Sequence, residues 1–254
     1  MIGLCVALTD ELRILEHVFE TAQRQQHNGR RAVVGTIAGE HAMAIVTGMG
    51  PDNAAQAARD LIDTQRPNAL IATGYAAGAD PQLATGDLVI ATSIYDPPPP
   101  HGGGPREFRA DPQLLDTAES VPRPAKATTR FGTLVTVRHI VRSATEKEQL
   151  AVAHSAHAID MESAAIAGAC DHKGVPLLCV RGIVDEASSN LDLDTERLLT
   201  RDGTPRVLPI IAQALRRPRT IGVLRDLHRR SREAGDTLGQ YLELLVPAVV
   251  ECRP

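Results

Sequence analysis

Short apolar runs alternate along this chain with segments in which apolar residues have helical spacing. The apolar run at 2–8 predicts a buried strand, and Leu12, Leu15 and Phe19 then fall on one face of a helix. Thr9 is where the N-cap of that helix is expected. The same criteria predict strands at 32–38, 42–46, 69–73, 88–92, 133–141 and 175–183, and helices at 51–62, 164–172 and 209–246. A glycine-rich turn is expected over 74–86.

This alternation of strands and helices favours an α/β fold. We expect a single domain over residues 1–254, with a mixed central β-sheet flanked by helices on both faces. Proline and glycine dominate residues 96–107, which we interpret as a mobile loop inserted in the domain. No internal repeat and no second-domain boundary is evident in the pattern.

A basic, amphipathic C-terminal helix is expected at about 219–246. Between Arg216 and Arg232 there are seven arginines and one acidic residue, Asp226. One interpretation is a helix packed on the domain with a solvated basic face. The other is peripheral contact of this helix with anionic lipid at the inner face of the membrane.

Composition narrows the classes of function. Aromatic residues make up 2% of the chain, tryptophan is absent and the net charge is −4, so a nucleic-acid partner is not expected. Cys5, Cys170 and Cys179 lie in apolar stretches without metal-ligand spacing, which favours reduced buried thiols and a cytoplasmic protein. No signal peptide and no apolar run of about 18 residues is seen, so we expect a soluble protein without a metal or organic cofactor.

Two acidic residues follow apolar strands in the second half of the chain. Glu162 lies where a strand turns into a helix, in the segment 159–167, Ile-Asp-Met-Glu-Ser-Ala-Ala-Ile-Ala. Asp185 ends the next apolar strand, in the segment 180–186, Val-Arg-Gly-Ile-Val-Asp-Glu. These segments resemble the signature of the nucleoside phosphorylase and nucleosidase superfamily, which includes purine nucleoside phosphorylases and methylthioadenosine/S-adenosylhomocysteine nucleosidases. The resemblance implies cleavage of the bond between ribose and base, a small-molecule nucleoside substrate, and a homodimer or higher homo-oligomer.

The resemblance also implies roles for individual residues. Asp185 matches the aspartate that donates a proton to purine N7, a role that requires a pKa raised by burial. Val184 replaces the serine that precedes this aspartate in the family. Glu162 matches the glutamate that binds the ribose 2′-hydroxyl, and Met161 the methionine that packs on sugar and base. Glu11 resembles the glutamate that activates water, with the neighbouring Asp10 as the rival candidate, and Ile140 and Val141 occupy positions beside the purine.

The nucleophile is either water or phosphate. Gly48 and Gly50 form a turn before a helix, and Gly74 and Tyr75 follow a strand, so all four are candidate binding residues near the nucleophile. Bacterial purine nucleoside phosphorylases hold phosphate with an arginine and a serine in the latter region, where this chain has Ala72 and Tyr75. We therefore favour water, while Arg13 or Arg181 would be the anchors if phosphate binds.

A narrower resemblance concerns the substrate. The segments 76–83 (Ala-Ala-Gly-Ala-Asp-Pro-Gln-Leu), 160–163 and 215–218, followed by the arginine-rich helix, are similar to the hopanoid-associated phosphorylase subgroup. That subgroup is assigned to releasing adenine from adenosylhopane, a 5′-modified adenosine. The alternatives are a phosphate-dependent purine nucleoside phosphorylase and a non-catalytic nucleoside sensor. A Rossmann oxidoreductase is disfavoured, because the turn at 48–53 has Asn53 in place of the third glycine of the dinucleotide fingerprint.

Overall fold

A computed structural model describes residues 1–98, 102–190 and 219–252. The strands are β1 (Ile2–Val6), β2 (Thr21–His27), β3 (Arg30–Ile37), β4 (Glu40–Val46), β5 (Ala69–Gly78), β6 (Leu88–Asp96), β7 (Arg106–Arg109), β8 (Thr129–Thr136), β9 (Ala156–Asp160) and β10 (Leu177–Asp185). The helices are α1 (Thr9–Glu16), α2 (Pro51–Gln65), α3 (Pro112–Ser120), α4 (Ala144–His154), α5 (Ser163–Lys173) and α6 (Arg219–Glu251).

All ten strands belong to one mixed sheet, in the order β10-β6-β8-β9-β5-β1-β4-β3-β2, with β7 paired to β6. Strand β1 runs parallel to both β4 and β5, whereas β3 is antiparallel to both of its neighbours. Strand β10 pairs with β6 and also with β5, so β5, β9, β8, β6 and β10 close into a ring. The closure brings the ends of β5, β9 and β10 to one place.

The helices cover both faces of the sheet. One hydrophobic cluster joins the strands to α1, α3 and α6, with Leu15, Leu114 and Leu242 among its buried members. A second cluster joins the opposite face to α2 and α5 through residues such as Leu61 and Ile166. The expected mixed sheet flanked by helices is confirmed.

The C-terminal half of α6 is part of the core. Leu238, Leu242 and Leu245 recur at helical spacing and are buried. The buried Tyr241 hydroxyl donates a hydrogen bond to the Ala118 carbonyl, at 2.8 Å. This apolar face of α6 is therefore covered by the domain.

Several element boundaries differ from the expectations. The strand predicted at 69–73 continues through Gly78, so the residues expected in the 74–86 turn begin inside β5. The strand predicted at 133–141 ends at Thr136. Thr9 is the first residue of α1 and Leu8 is its N-cap, because the Glu11 carboxylate accepts the Leu8 backbone N–H at 2.7 Å. Strand β2 has no apolar alternation, since it is an exposed edge strand.

Some expectations fall partly outside the described residues. These are residues 99–101 of the predicted loop, residues 209–218 of the predicted terminal helix, and the 215–218 segment of the narrower resemblance. In the described ranges, no helix is long and apolar enough to cross a membrane.

The packing of α6 predicts a contrast between two leucines that lie two residues apart. Leu242 is fully buried, whereas Leu244 is 49% exposed. Leu242→Ala should lower the free energy of unfolding by about 2–5 kcal/mol, because it leaves a cavity in the core. The control Leu244→Ala should change it by less than about 0.5 kcal/mol. Equal effects of the two variants in urea unfolding would contradict this placement of α6.

Candidate active site

A cavity of about 220 Å³ opens where β1, β5, β9 and β10 end. Its wall is largely apolar, with carboxylates set into it. The apolar part of the lining is Ala7, Leu8, Met49, Ala76, Ala77, Val137, Ile140, Val141, Ile159, Met161, Val184 and Leu227. The remaining lining residues are Glu11, Tyr75, His139, Asp160, Glu162 and Asp185. A mostly apolar cleft with a few polar groups is typical of a small-molecule site.

The Glu11 carboxylate is held by two backbone amides. Its Oε2 accepts the Leu8 N–H at 2.7 Å and its Oε1 accepts the Tyr75 N–H at 2.8 Å, which joins the start of α1 to β5. Glu11 is 3% exposed, and this burial raises the pKa of Glu11, although the Tyr75 amide and Arg181 oppose the rise. The Glu11 carboxylate therefore has a fixed orientation and a raised affinity for a proton. A general base requires both.

Glycine is required at position 74 for this arrangement. A Cβ there would lie 2.5 Å from Glu11 Oε1 and 3.0 Å from Arg181 Nη1. The φ of Gly74 is +142°, which side-chain-bearing residues rarely adopt. Gly74 does not itself line the cavity. Its lack of a side chain lets Glu11 and Arg181 lie close to the β5 backbone.

Glu162 is the N-cap residue of α5, at the turn after β9. Its Oε1 accepts the Gly50 backbone N–H at 2.7 Å, which fixes the side chain against the start of α2. Burial and the neighbouring charge of Asp160 raise the pKa of Glu162 to about 7, against the opposing effects of Arg181 and the Gly50 amide. A buried carboxylate of this kind can bind a ligand hydroxyl group. It accepts the hydrogen bond of the hydroxyl with little competition from water.

Arg181 lies beneath the cavity, outside its lining. Its Nη2 is 2.8 Å from Asp160 Oδ2 and 2.8 Å from Ser163 Oγ, and the guanidinium is 2% exposed. Asp160 Oδ1 also accepts the Thr136 hydroxyl at 2.8 Å. Arg181 is thus bound to Asp160 and Ser163, and its positive charge lowers the pKa of both Glu11 and Glu162.

Asp185 is the last residue of β10 and faces a buried lysine. Its Oδ2 is 2.5 Å from Lys147 Nζ, and its Oδ1 accepts the Ser189 hydroxyl. A cationic partner for Asp185 was not expected from the sequence. The carboxyl group is 15% exposed and has a cation as partner.

The predicted site residues divide into two groups. Glu11, Glu162, Asp185, Met161, Ile140, Val141 and Tyr75 line the cavity. Gly48, Gly50, Gly74 and Arg181 are not among its lining residues. Gly48 donates its N–H to the Ala7 carbonyl at 3.2 Å, so it ties the turn before α2 to the cavity wall at Ala7.

Several residues near the site were not singled out as site residues from the sequence, among them Lys147, Ser189 and Leu227. Lys147 stands in a charged segment of α4, and nothing in that pattern marks it as buried. Ser189 follows β10 and carries no motif. Leu227 belongs to the apolar pattern of the terminal helix, but the pattern cannot show that α6 reaches the cavity.

The described residues contain no group of three or more His, Cys, Asp or Glu side chains arranged to hold a metal ion. The cavity brings together the carboxylates of Glu11 and Glu162, which lie near the Arg181 charge, and that of Asp185 beside Lys147. Such separated acids can serve as base, hydroxyl ligand and acid in one reaction.

Comparison with known proteins relates the chain to nucleoside-cleaving enzymes. A family model described as the phosphorylase superfamily matches residues 1–216. The 5′-methylthioadenosine/S-adenosylhomocysteine nucleosidase of Bacillus thuringiensis (strain Al Hakam) is 26% identical over 215 residues, which cover 78% of this chain and 91% of that relative.

Solved nucleosidase structures share the fold. The 5′-methylthioadenosine/S-adenosylhomocysteine nucleosidase of Neisseria meningitidis, in complex with methylthio-immucillin-A, matches with a TM-score of 0.74 at 19% identity, covering 97% of this chain and 98% of the other. The S-adenosylhomocysteine nucleosidase of Streptococcus pyogenes, in complex with 5-methylthiotubericidin, matches with a TM-score of 0.76 at 22% identity, covering 100% and 97%.

The raised pKa of Glu162 predicts a pH dependence of stability. The folded state binds this proton more tightly than the unfolded chain, whose ordinary pKa is 4.5, so the stabilisation is complete below pH 4.5 and lost as the pH rises through about 7. Between these values the free energy of unfolding should fall, by at most about 1.4 kcal/mol per pH unit for one proton.

Glu162→Gln, which cannot ionise, should flatten this decline in chemical denaturation measured from pH 4.5 to pH 7.5. Some decline should remain, because the pKa of Glu11 is also raised. The exposed control Glu148→Gln should follow the wild-type curve. Parallel curves for wild type and Glu162→Gln would show that the Glu162 proton does not contribute.

Proposed function

The chain belongs to the phosphorylase superfamily, and on that premise we propose that it cleaves the N-glycosidic bond of a 5′-modified adenosine, releasing adenine by attack of water. The observation that carries this proposal is the presence of Glu11, Glu162 and Asp185 on one cavity wall, although they come from distant parts of the chain. Breaking an N-glycosidic bond leaves positive charge on the ribose and negative charge on the purine. Carboxylates near the sugar stabilise the positive charge, and an acid near the base stabilises the negative charge by protonating it.

In the proposed reaction, each carboxyl group has one role. Glu11 takes a proton from the water that attacks the anomeric carbon, and its orientation by the Leu8 and Tyr75 amides suits that task. Glu162 accepts a hydrogen bond from the ribose 2′-hydroxyl. Asp185 gives a proton to purine N7 as the bond electrons move onto the base.

The charge of the cavity supports water over phosphate. No described lining residue is a lysine or an arginine, while several are acidic. Arg181 is committed to Asp160, and Arg13 pairs with Asp10 at the surface, where its side chain is 67% exposed. A phosphate dianion beside Glu11 would meet repulsion without a cationic anchor from the lining.

The wall composition supports an apolar 5′ substituent. Val137 and Leu227 offer no hydrogen-bonding side chain to a polar group. Leu227 comes from α6, so the terminal helix contributes to the choice of substrate. We propose adenosylhopane as one such substrate, alongside 5′-methylthioadenosine, the substrate named for the relatives.

Adenine release tests this proposal directly. Purified protein is incubated with 5′-methylthioadenosine, S-adenosylhomocysteine, adenosine, inosine and a long-chain 5′-alkyl adenosine, each with and without phosphate, and the free base is measured by chromatography. We expect release that needs no phosphate and is fastest for an apolar 5′ group. Release only with phosphate would make the protein a phosphorylase. Binding without release from any compound would make it a nucleoside sensor.

Substrates embedded in a membrane would require a membrane contact, and we propose that the N-terminal part of α6 provides it in a cytoplasmic protein. Arg225, Arg229 and Arg232 are exposed there, although Arg229 also pairs with Asp226 and Glu233. The wild-type protein should float with liposomes rich in phosphatidylglycerol, and the triple Arg→Gln variant of these positions should float much less. The proposed membrane contact would be wrong if the wild-type protein and the variant floated equally, or if the wild-type protein did not float.

A further inference from the structure

A lysine that is completely buried lies beside the cavity. Lys147 is on the second turn of α4, and its residue exposure is 0%. Burying an ammonium group costs several kcal/mol unless partners compensate it, and an apolar residue would serve helix packing better. Its contact with Asp185, a residue of the cavity lining, therefore indicates a role beyond packing.

Within the described part of the chain, the partners of the Lys147 ammonium belong to the segment from Asp185 to Ser189. Its Nζ is 2.5 Å from Asp185 Oδ2, 2.7 Å from the Glu186 carbonyl and 3.0 Å from the Ser189 carbonyl. Nζ also lies 3.4 Å from Ser189 Oγ. An ammonium group has three N–H donors, and the three shorter contacts use all of them, so its position and that of Asp185 are mutually fixed.

A second contact joins the same two elements. The backbone N–H of Ala144, the first residue of α4, donates to Asn190 Oδ1 at 2.9 Å. The Ser189 hydroxyl meanwhile donates to Asp185 Oδ1. Among the described residues, each carboxylate oxygen of Asp185 thus has one contact, to Ser189 or to Lys147. A carboxylate oxygen can accept a second hydrogen bond, from a ligand in the cavity.

We propose that Lys147 is the positioning residue for Asp185 in leaving-group activation, an inference that rests on the proposed function. When the glycosidic bond breaks, its electron pair moves to the purine, N7 takes the proton of the Asp185 carboxyl group, and Asp185 becomes a carboxylate. The Lys147 ammonium stabilises that carboxylate as it forms, and solvent supplies the next proton before another turnover. The Lys147–Asp185 ion pair seen in the structure is the arrangement that this step produces.

Two substrates with different leaving groups distinguish a role of Lys147 in acid catalysis from a purely structural role. Release of adenine from 5′-methylthioadenosine needs the proton, whereas the 4-nitrophenyl glycoside of the same 5-methylthioribose releases a stable anion without one. Lys147→Met should lower kcat for adenine release by about 10–10³-fold, which is part of the roughly 10²–10⁴-fold effect of acid catalysis, and kcat for nitrophenolate release by less than about threefold. Asp185→Asn should show the same selectivity.

Two further variants complete the comparison. Lys147→Arg keeps the charge, so its ratio of adenine to nitrophenolate release should lie closer to wild type. Lys173→Met removes the lysine of a surface ion pair with Asp63 and should leave both rates unchanged. If thermal unfolding shows that Lys147→Met does not fold, Lys147→Gln carries the same test, because its amide still donates to the carbonyl oxygens.

An equal loss of both activities in a folded Lys147 variant, or no loss of either, would overturn the inference. Failure of the proposed function itself has a different signature, since the wild-type protein would then release no adenine from any nucleoside. A wild-type enzyme that releases adenine, with a substrate ratio unchanged in Lys147→Met, would remove only the role of Lys147.

Discussion

The guanidinium of Arg181 offsets the negative charge that gathers beneath one small cavity. It binds Asp160 directly and lowers the pKa of both Glu11 and Glu162, each of which burial raises. Buried carboxylates without such a cation would be neutral at physiological pH or would destabilise the fold. Because Arg181 is itself 2% exposed, its charge acts with little screening by solvent. The protonation of Glu11 and Glu162 therefore depends on this one side chain.

The closure of the sheet into a ring brings these charged side chains to one cavity. Strand β10 pairs with β5 and β6, which places Asp185 near the end of the ring that also contains β9. Glu162 follows β9, while the Tyr75 amide of β5 holds Glu11. On an open sheet these strand ends would be spread along an edge; in the ring they face a common space.

The parts of this arrangement that follow from local patterns were predictable from the sequence. Glu162 and Asp185 stand at the ends of apolar strands, so their proximity was expected, and the helix after Pro51 was clear from its spacing. Lys147 was not predictable, because a lysine between glutamates has the pattern of a solvated helix face, and its burial depends on a contact with a segment 39 residues away. The edge strand β2 lacked a signal for the same kind of reason, since its stability comes from pairing with β3 and not from apolar residues of its own.

A crystal structure of the protein with methylthio-immucillin-A, a transition-state inhibitor that is bound by related nucleosidases, tests the central claim most directly. We expect the base within hydrogen-bonding distance of Asp185, the sugar hydroxyl groups at Glu162, and the methylthio group against the apolar wall that includes Leu227. A ligand bound elsewhere, or one whose base contacts Glu11 with Asp185 left free, would contradict it.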